Sequence, residues 1–312
     1  AQFAGATRER TSGGRAAHVP AMPLSATYRP DPVFMRLGAE FADPVAPAPF
    51  PQTRLRFRND RAAASVGLEG LTEAEWLAHF ARFAPLPDNQ PGPLAMRYHG
   101  HQFRSYNPDL GDGRGFLFAQ LREAGSGRLL DLATKGSGQT PWSRAGDGRL
   151  TLKGGVREIL AAAMLEALGV PTSRAFSLVE TGEALERGDE PSPTRSAVLT
   201  RLSHSHIRFG TFQRQAYLER PDNITALVDH AVETYFPAVA DQPALDESAE
   251  HGPLVEAQRD LIQAAAGLLL GRGGEGRGVA LERLEPERLE GLRVDAAKLP
   301  RPVHHRLPSL DP

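Results

Sequence analysis

Two glycine-bracketed tetrapeptides with a lysine between them carry the chemistry this chain could do. Gly111-Asp112-Gly113-Arg114 precedes two apolar runs, the second ending in Lys135, and Gly146-Asp147-Gly148-Arg149 then opens onto a helix-like stretch. Backbone N–H groups reach an anion closely only where no side chain blocks them, and glycine also supplies the φ > 0 angles that such loops use. Lys135 adds a point charge, so the pair of segments reads as a phosphate cradle. Taken singly, a Gly-Asp-Gly is more often a plain turn. Downstream, Arg201 and Arg208 flank a strand-to-loop junction, where they could both face one anion or make ordinary surface ion pairs. His99 and His101 invite a metal, but no third ligand stands at a suitable spacing.

The elements that must position these groups follow from periodicity. Phe116 to Leu121 and Leu129 to Thr134 read as strands joined by a hairpin turn at Gly125-Ser126-Gly127, leaving Lys135 at a strand end. From Gly155, the residues Val156, Ile159, Leu160, Ala163, Met164, Ala167 and Leu168 recur at helical spacing until Gly169 and Pro171 stop them, with Glu158 in the first turn. Arg174 to Glu180 and Ser196 to Leu202 read as two strands around a polar loop at 182–194. Asp222 is expected to N-cap a helix running to Tyr235. Upstream, Thr72 and Glu75 form a capping box ahead of a helix of about three turns bearing Trp76, Leu77, Phe80 and Phe83. Leu55 and Phe57 alternate with arginines as a half-buried strand does. The prolines between Tyr28 and Pro51 forbid a long helix or central strand there and predict an extended surface segment.

Composition bounds the rest. The 312 residues, 40% of them hydrophobic, can build a sizeable core, and a net charge of −2 gives no global basic field for nucleic acid or an anionic membrane. The absence of cysteine removes disulfides, thiolate catalysis and cysteine-based zinc sites, and fits a reducing compartment. No apolar run is long enough to span a bilayer and the start lacks an apolar signal core, so a cytoplasmic location is expected. The chain begins with Ala rather than Met, which points to residues missing upstream.

A strand lysine followed by a helix glutamate resembles the small lobe of a protein kinase. The kinase glycine loop and the His-Arg-Asp and Asp-Phe-Gly signatures are not found, however, so an ordinary kinase does not fit. A closer resemblance lies in Tyr98 to Phe103, Leu110 to Arg114, Lys135 to Gly138, Thr140 to Arg144, Gly146 to Arg149, Arg157-Glu158, Leu168 to Thr172 and Ser205 to Gly210. Together these are similar to the selenoprotein O family, also called YdiU, over roughly Tyr28 to Pro237. The resemblance implies an α+β, protein-kinase-like (pseudokinase) fold, mainly the small lobe and the start of the large lobe, with an antiparallel sheet and packed helices. It implies a protein adenylyltransferase that moves AMP from ATP to protein hydroxyls with Mg²⁺ or Mn²⁺. The alternative is an ATP-binding pseudoenzyme that docks partners.

Carried over by position, Gly111, Gly113 and Arg114 contact nucleotide, Lys135 its phosphates, and Glu158 the lysine. Asp147, Gly148, Arg201 and Arg208 fall on further nucleotide positions. Three arginines and a lysine would balance a triphosphate of about four negative charges. In this family the nucleotide lies reversed relative to kinases, which would present the α-phosphate to the acceptor. ATP and protein substrates are thus the expected partners, without nucleic acid or membrane.

The expected organisation is a mobile tail at 1–25, a nucleotide-binding domain at 26–240 and a divergent segment at 241–312. Past about Asp241 the family's catalytic aspartate and metal-holding Asn and Asp are not found. Asp222-Asn223 matches them only superficially. Leu254 to Leu270 reads as a helix, followed by Arg/Gly/Pro-rich text of the kind a shifted reading frame produces. A frameshift or truncation near 240–270 is therefore expected. An apolar face left without its second lobe should follow, with marginal stability or aggregation.

Overall fold

The computed structural model describes residues 24–102 and 105–236. Most of the expected tail and the whole 241–312 segment, including the helix expected at Leu254 to Leu270, lie outside these residues. In chain order a 3₁₀ turn (Val33–Leu37) is followed by β1 (Ala42–Pro44), β2 (Arg54–Arg58), α1 (Asp60–Ala64), α2 (Glu73–Phe80), β3 (Leu94–Met96), β4 (Gly100–Gln102) and β5 (Ser105–Asn107). Then come β6 (Leu117–Arg122), β7 (Leu129–Lys135), β8 (Leu150–Thr151), α3 (Leu152–Ala167), β9 (Arg174–Leu185), β10 (Thr194–Ser203), α4 (Phe209–Tyr217) and α5 (Pro221–Tyr235).

The sheet runs β1-β3-β6-β7-β10-β9-β2, with β8 also on β10, and every pairing is antiparallel. The expected α+β class with an antiparallel sheet and packed helices is therefore present. The proline-rich segment supplies β1 and the 3₁₀ turn. Pro44 closes β1 at the outer edge of the sheet, where a missing N–H costs no ladder bond. Arginine-rich β2 takes the other edge, where charge suits an unpaired strand.

The central strands depart from simple alternation. In β6 and β7 consecutive residues are buried on both faces, because α2 with its aromatic cluster covers one side and other segments cover the other. Trp76 lies parallel to Phe176 at 4.9 Å and tilted to Phe80 at 4.6 Å, and its Nε1 donates to Ser177 Oγ at 2.9 Å. The Thr72–Glu75 capping box is present, with Thr72 N donating to Glu75 at 2.8 Å. It starts a helix shorter than expected, eight residues, after which Phe83 turns into a left-handed conformation. β9 runs five residues beyond the expected strand, to Leu185, and β10 begins two residues earlier, at Thr194, because Thr194 pairs with Leu185 and Arg195 with Ala184 across the segment expected as loop.

Two helix starts also move. α5 is N-capped by Arg220 with Pro221 at its first position; Asp222 lies inside the first turn, where its charge favours the helix N-terminus. α3 begins at Leu152, because Thr151 caps it by accepting from Gly154 N at 3.0 Å, so Glu158 sits in the second turn rather than the first. The face α3 buries differs from the apolar stripe as well. Gly155 is its buried residue, with Leu178 so close that a Cβ there would lie 2.5 Å from Leu178 Cδ1. Leu160, Met164 and Leu168 stand 65, 61 and 70% exposed. An apolar face of α3 is thus exposed to solvent.

Candidate functional site

β7 delivers Lys135 from the middle of the sheet, and α3 lies across the adjacent strands so that Glu158 meets it. The Lys135 ammonium and Glu158 Oε1 form a salt bridge. The second Glu158 oxygen lies 3.7 Å from Arg201 Nη1. Arg201 comes from β10, paired with β7 so that Arg201 stands opposite Ala133. One carboxylate therefore serves two cations on neighbouring strands. Burial pushes the Arg201 guanidinium down from its ordinary value, Glu158 pulls it up, and the like charges of Arg208 and Arg114 push it down again. Arg201 Nε is buried without a hydrogen-bond partner among the described residues. A buried donor left in this state costs on the order of 1–3 kcal/mol, and an anion would satisfy it.

Arg208 enters from the loop before α4. Its guanidinium sits 4.7 Å above the Tyr98 ring, and its Nη2 donates to Asp112 Oδ1 at 3.3 Å. The sequence gives Asp112 no role of its own within the glycine-bracketed segment. Its carboxylate also accepts from Met96 N at 3.1 Å, and burial raises its pKa against the pull of Arg208. Only its position between two site glycines could have signalled it. Arg114, exposed on the same loop, completes the group; its carbonyl accepts from Gly136 N at 2.6 Å, tying the loop to the turn after Lys135. Four cations thus face two carboxylates, an excess of positive charge suited to a polyphosphate.

The glycines answer to a cause different from ligand access alone. A Cβ on Gly111 would lie 2.3 Å from the Trp142 indole, so the segment Thr140 to Arg144 is what requires this glycine. Thr140 Oγ1 donates to the Asp112 carbonyl at 2.5 Å and Ser143 Oγ to the Gly113 carbonyl at 2.6 Å. Trp142 Nε1 reaches Asp43 at 2.9 Å. Gly148 has φ +69 and presses on Gly138, where a Cβ would fall 2.2 Å from a backbone carbon. Gly148 is thereby joined to the turn after Lys135. The neighbouring Asp147 is turned elsewhere: its carboxylate takes Arg187 of the β9–β10 connection at 2.7 Å and Arg149 N at 3.0 Å. Burial would raise its pKa, but these two donors outweigh it and hold it below the usual value.

Lys135, Glu158, Arg201, Arg208 and Arg114 are therefore gathered, Gly111, Gly113 and Gly148 support them, and Asp147 is engaged with Arg187. Glu158 and Arg201 also line a cavity of about 160 Å³ with Ala162, Leu165, Thr172 and Leu199, beneath α3. His99 serves packing: it is buried, its Nδ1 lies 2.8 Å from Tyr106 Oη, and Tyr217 meets it edge-on. Among the described residues no group of three or more His, Cys, Asp or Glu could hold a metal ion. The site carboxylates Glu158 and Asp112 already serve cations, so the described residues do not fit Mg²⁺ or Mn²⁺.

Fold and site define an antiparallel α+β domain with a cationic centre built around a strand lysine and a helix glutamate. A family model described as protein adenylyltransferase SelO matches residues 24–268, and the chain belongs to that family. The match runs to residue 268, beyond Pro237, where the motif resemblance ends. The chain is similar to proteins named protein nucleotidyltransferase YdiU. The one from Synechococcus elongatus is 54% identical over 221 residues, 69% of this chain and 43% of that protein. That from Gloeobacter violaceus is 56% identical over 216 residues, 68% and 44% respectively. The Pseudomonas putida GB-1 relative is 40% identical over 236 residues, 73% and 46%. The chain thus spans less than half the length of these curated relatives.

Proposed function

We propose that this chain is the nucleotide-binding part of a protein adenylyltransferase, holding ATP by its triphosphate with Arg114, Lys135, Arg201 and Arg208. The observation that carries the reading is Glu158, shared between Lys135 and Arg201 with two more arginines within electrostatic reach. Such a lysine–glutamate pair across a strand and a helix is the arrangement of a kinase-like small lobe, which favours a pseudokinase-type fold for the family. Gly111, Gly113 and Gly148 shape the loops against the phosphates, while Asp147, held by Arg187, acts on the second loop and not on the nucleotide.

In the transfer, a protein Ser, Thr or Tyr oxygen bonds to the α-phosphorus, the bond to the β-phosphate breaks, pyrophosphate leaves and the hydroxyl proton passes to a base. The cluster's contribution is to orient the phosphates and balance charge on the departing pyrophosphate. The described residues offer no site for the Mg²⁺ or Mn²⁺ that the resemblance implies for charge stabilisation in this step. The chain alone is therefore expected to bind ATP and to transfer AMP weakly or not at all. A docking pseudoenzyme is the second reading, favoured by the site carboxylates being already committed to cations. A cytoplasmic setting, without nucleic acid or membrane, completes the proposal; no described helix is long and apolar enough to cross a membrane.

Incubation with protein acceptors and ATP labelled at the α- or γ-phosphate, with Lys135→Ala as control, separates the readings. Label from the α position on protein supports transfer, and binding without label supports docking. Label from the γ position, or no nucleotide binding at all, overturns both.

A further inference from the structure

Asp131 has no part in the cluster described above, and we infer that it is a positioning residue that sets Arg208 through the backbone of His206. The inference rests on reading the cluster as a triphosphate site. Asp131 lies on β7, the strand that ends in Lys135, opposite Ser203 of β10. Its residue is 1% exposed. Oδ1 accepts from Gln120 Nε2 at 2.7 Å, and Oδ2 accepts from His206 N at 2.8 Å with His206 Nδ1 at 3.5 Å. Gln120 is itself fixed, its Oε1 accepting from Phe34 N at 2.7 Å.

A buried carboxylate is costly unless its oxygens are bonded, and an apolar side chain would serve the core better. Asp131 has no lysine or arginine bridge among the described residues; its bonds go to a side-chain amide and to a loop. What the carboxylate supplies is a specified path for that loop. The next residue, Ile207, donates its N–H to Ser205 Oγ at 3.1 Å and enters the apolar group of Phe34, Met96 and Leu117. Arg208 follows at once, its guanidinium over Tyr98 and against Asp112. One strand therefore carries a phosphate-gripping lysine at its end and, further back, the anchor for an arginine of the same grip.

The test is a double-mutant cycle on the full chain with Asp131→Ala, Arg208→Ala and both, titrated with ATP, inorganic tripolyphosphate and adenosine. Asp131→Ala should weaken ATP and tripolyphosphate about tenfold, the loss of one well-placed charged hydrogen bond, and leave adenosine unchanged. The double variant should bind ATP no more weakly than Arg208→Ala alone. Asp131→Asn, which keeps an acceptor toward His206, should restore most of the affinity. Equal loss for adenosine, or additive losses in the cycle, would mean that Asp131 is only a core residue. A wild-type chain that binds none of the three probes would instead strike at the site itself, and the inference would fall with it. Hydrogen exchange on the wild-type chain needs no variant: the His206 amide should be strongly protected, and fast exchange overturns the inference alone.

Discussion

Because Glu158 is shared, deleting either end of the Lys135–Glu158 bridge should have unequal consequences. Lys135→Ala leaves the carboxylate with Arg201, so no charge loses its last partner. Glu158→Ala leaves an ammonium and a guanidinium side by side, with Arg114 and Arg208 adding repulsion. At 3.7 Å and an effective dielectric of about 20, one unit-charge pair interacts by about 4.5 kcal/mol before desolvation. The side chains of Lys135, Glu158 and Arg201 are 24, 29 and 26% exposed, so screening removes much of this. The net cost should be about 1 kcal/mol for Lys135→Ala and about 2–3 kcal/mol for Glu158→Ala. For a domain of this size that corresponds to midpoints lower by about 2–4 °C and about 4–12 °C. Thermal unfolding followed by circular dichroism at low salt measures both, and added tripolyphosphate should narrow the gap. The order should reverse for ligand: Lys135→Ala, which removes a direct phosphate contact, should lose about 10- to 100-fold in ATP affinity. Equal destabilisation by the two variants would refute the shared carboxylate.

Three further outcomes follow from other parts of the molecule. Gly111→Ala should destabilise by about 1–3 kcal/mol because its Cβ meets the Trp142 indole, and Trp142→Ala in the same chain should remove most of that penalty in denaturant titrations. Burial raises the Glu123 pKa, but Ser126, Arg128 and Arg174 outweigh it and bring it from 4.5 to about 2. Its contribution is therefore complete above pH 4.5 and lost as pH falls toward 2, and Glu123→Gln should flatten the urea midpoint across that window. The open face of α3 should drive self-association; Leu160→Glu with Met164→Glu should abolish concentration-dependent light scattering, and a wild-type chain that scatters as a monomer throughout would contradict this.

Much of this architecture was legible because it depends on local chemistry. The capping box at Thr72, the hairpin leading to Lys135 and the alternating strand at Leu55 and Phe57 are each decided within a few residues. The pairing of Lys135 with Glu158 is implied by the family resemblance and by the order of a strand before a helix. Contacts across the fold were not readable. That Gly111 exists for Trp142, that Asp112 holds Arg208 and that Asp131 holds His206 depend on residues distant in sequence. The helix α3 shows a subtler limit: periodicity identified an apolar stripe but could not say whether anything covers it. Likewise Asp147, identical in local text to Asp112, is drawn away by Arg187 across a strand connection.

The central claim is that the cluster of Arg114, Lys135, Arg201 and Arg208 grips the phosphate chain of a nucleotide. Isothermal titration of the full chain with ATP, AMP and adenosine at constant ionic strength tests it most directly. Affinity should rise with each added phosphate, ATP binding at least about tenfold more tightly than AMP and adenosine most weakly. Equal affinities for the three, or no ATP binding by a folded chain, would contradict the account.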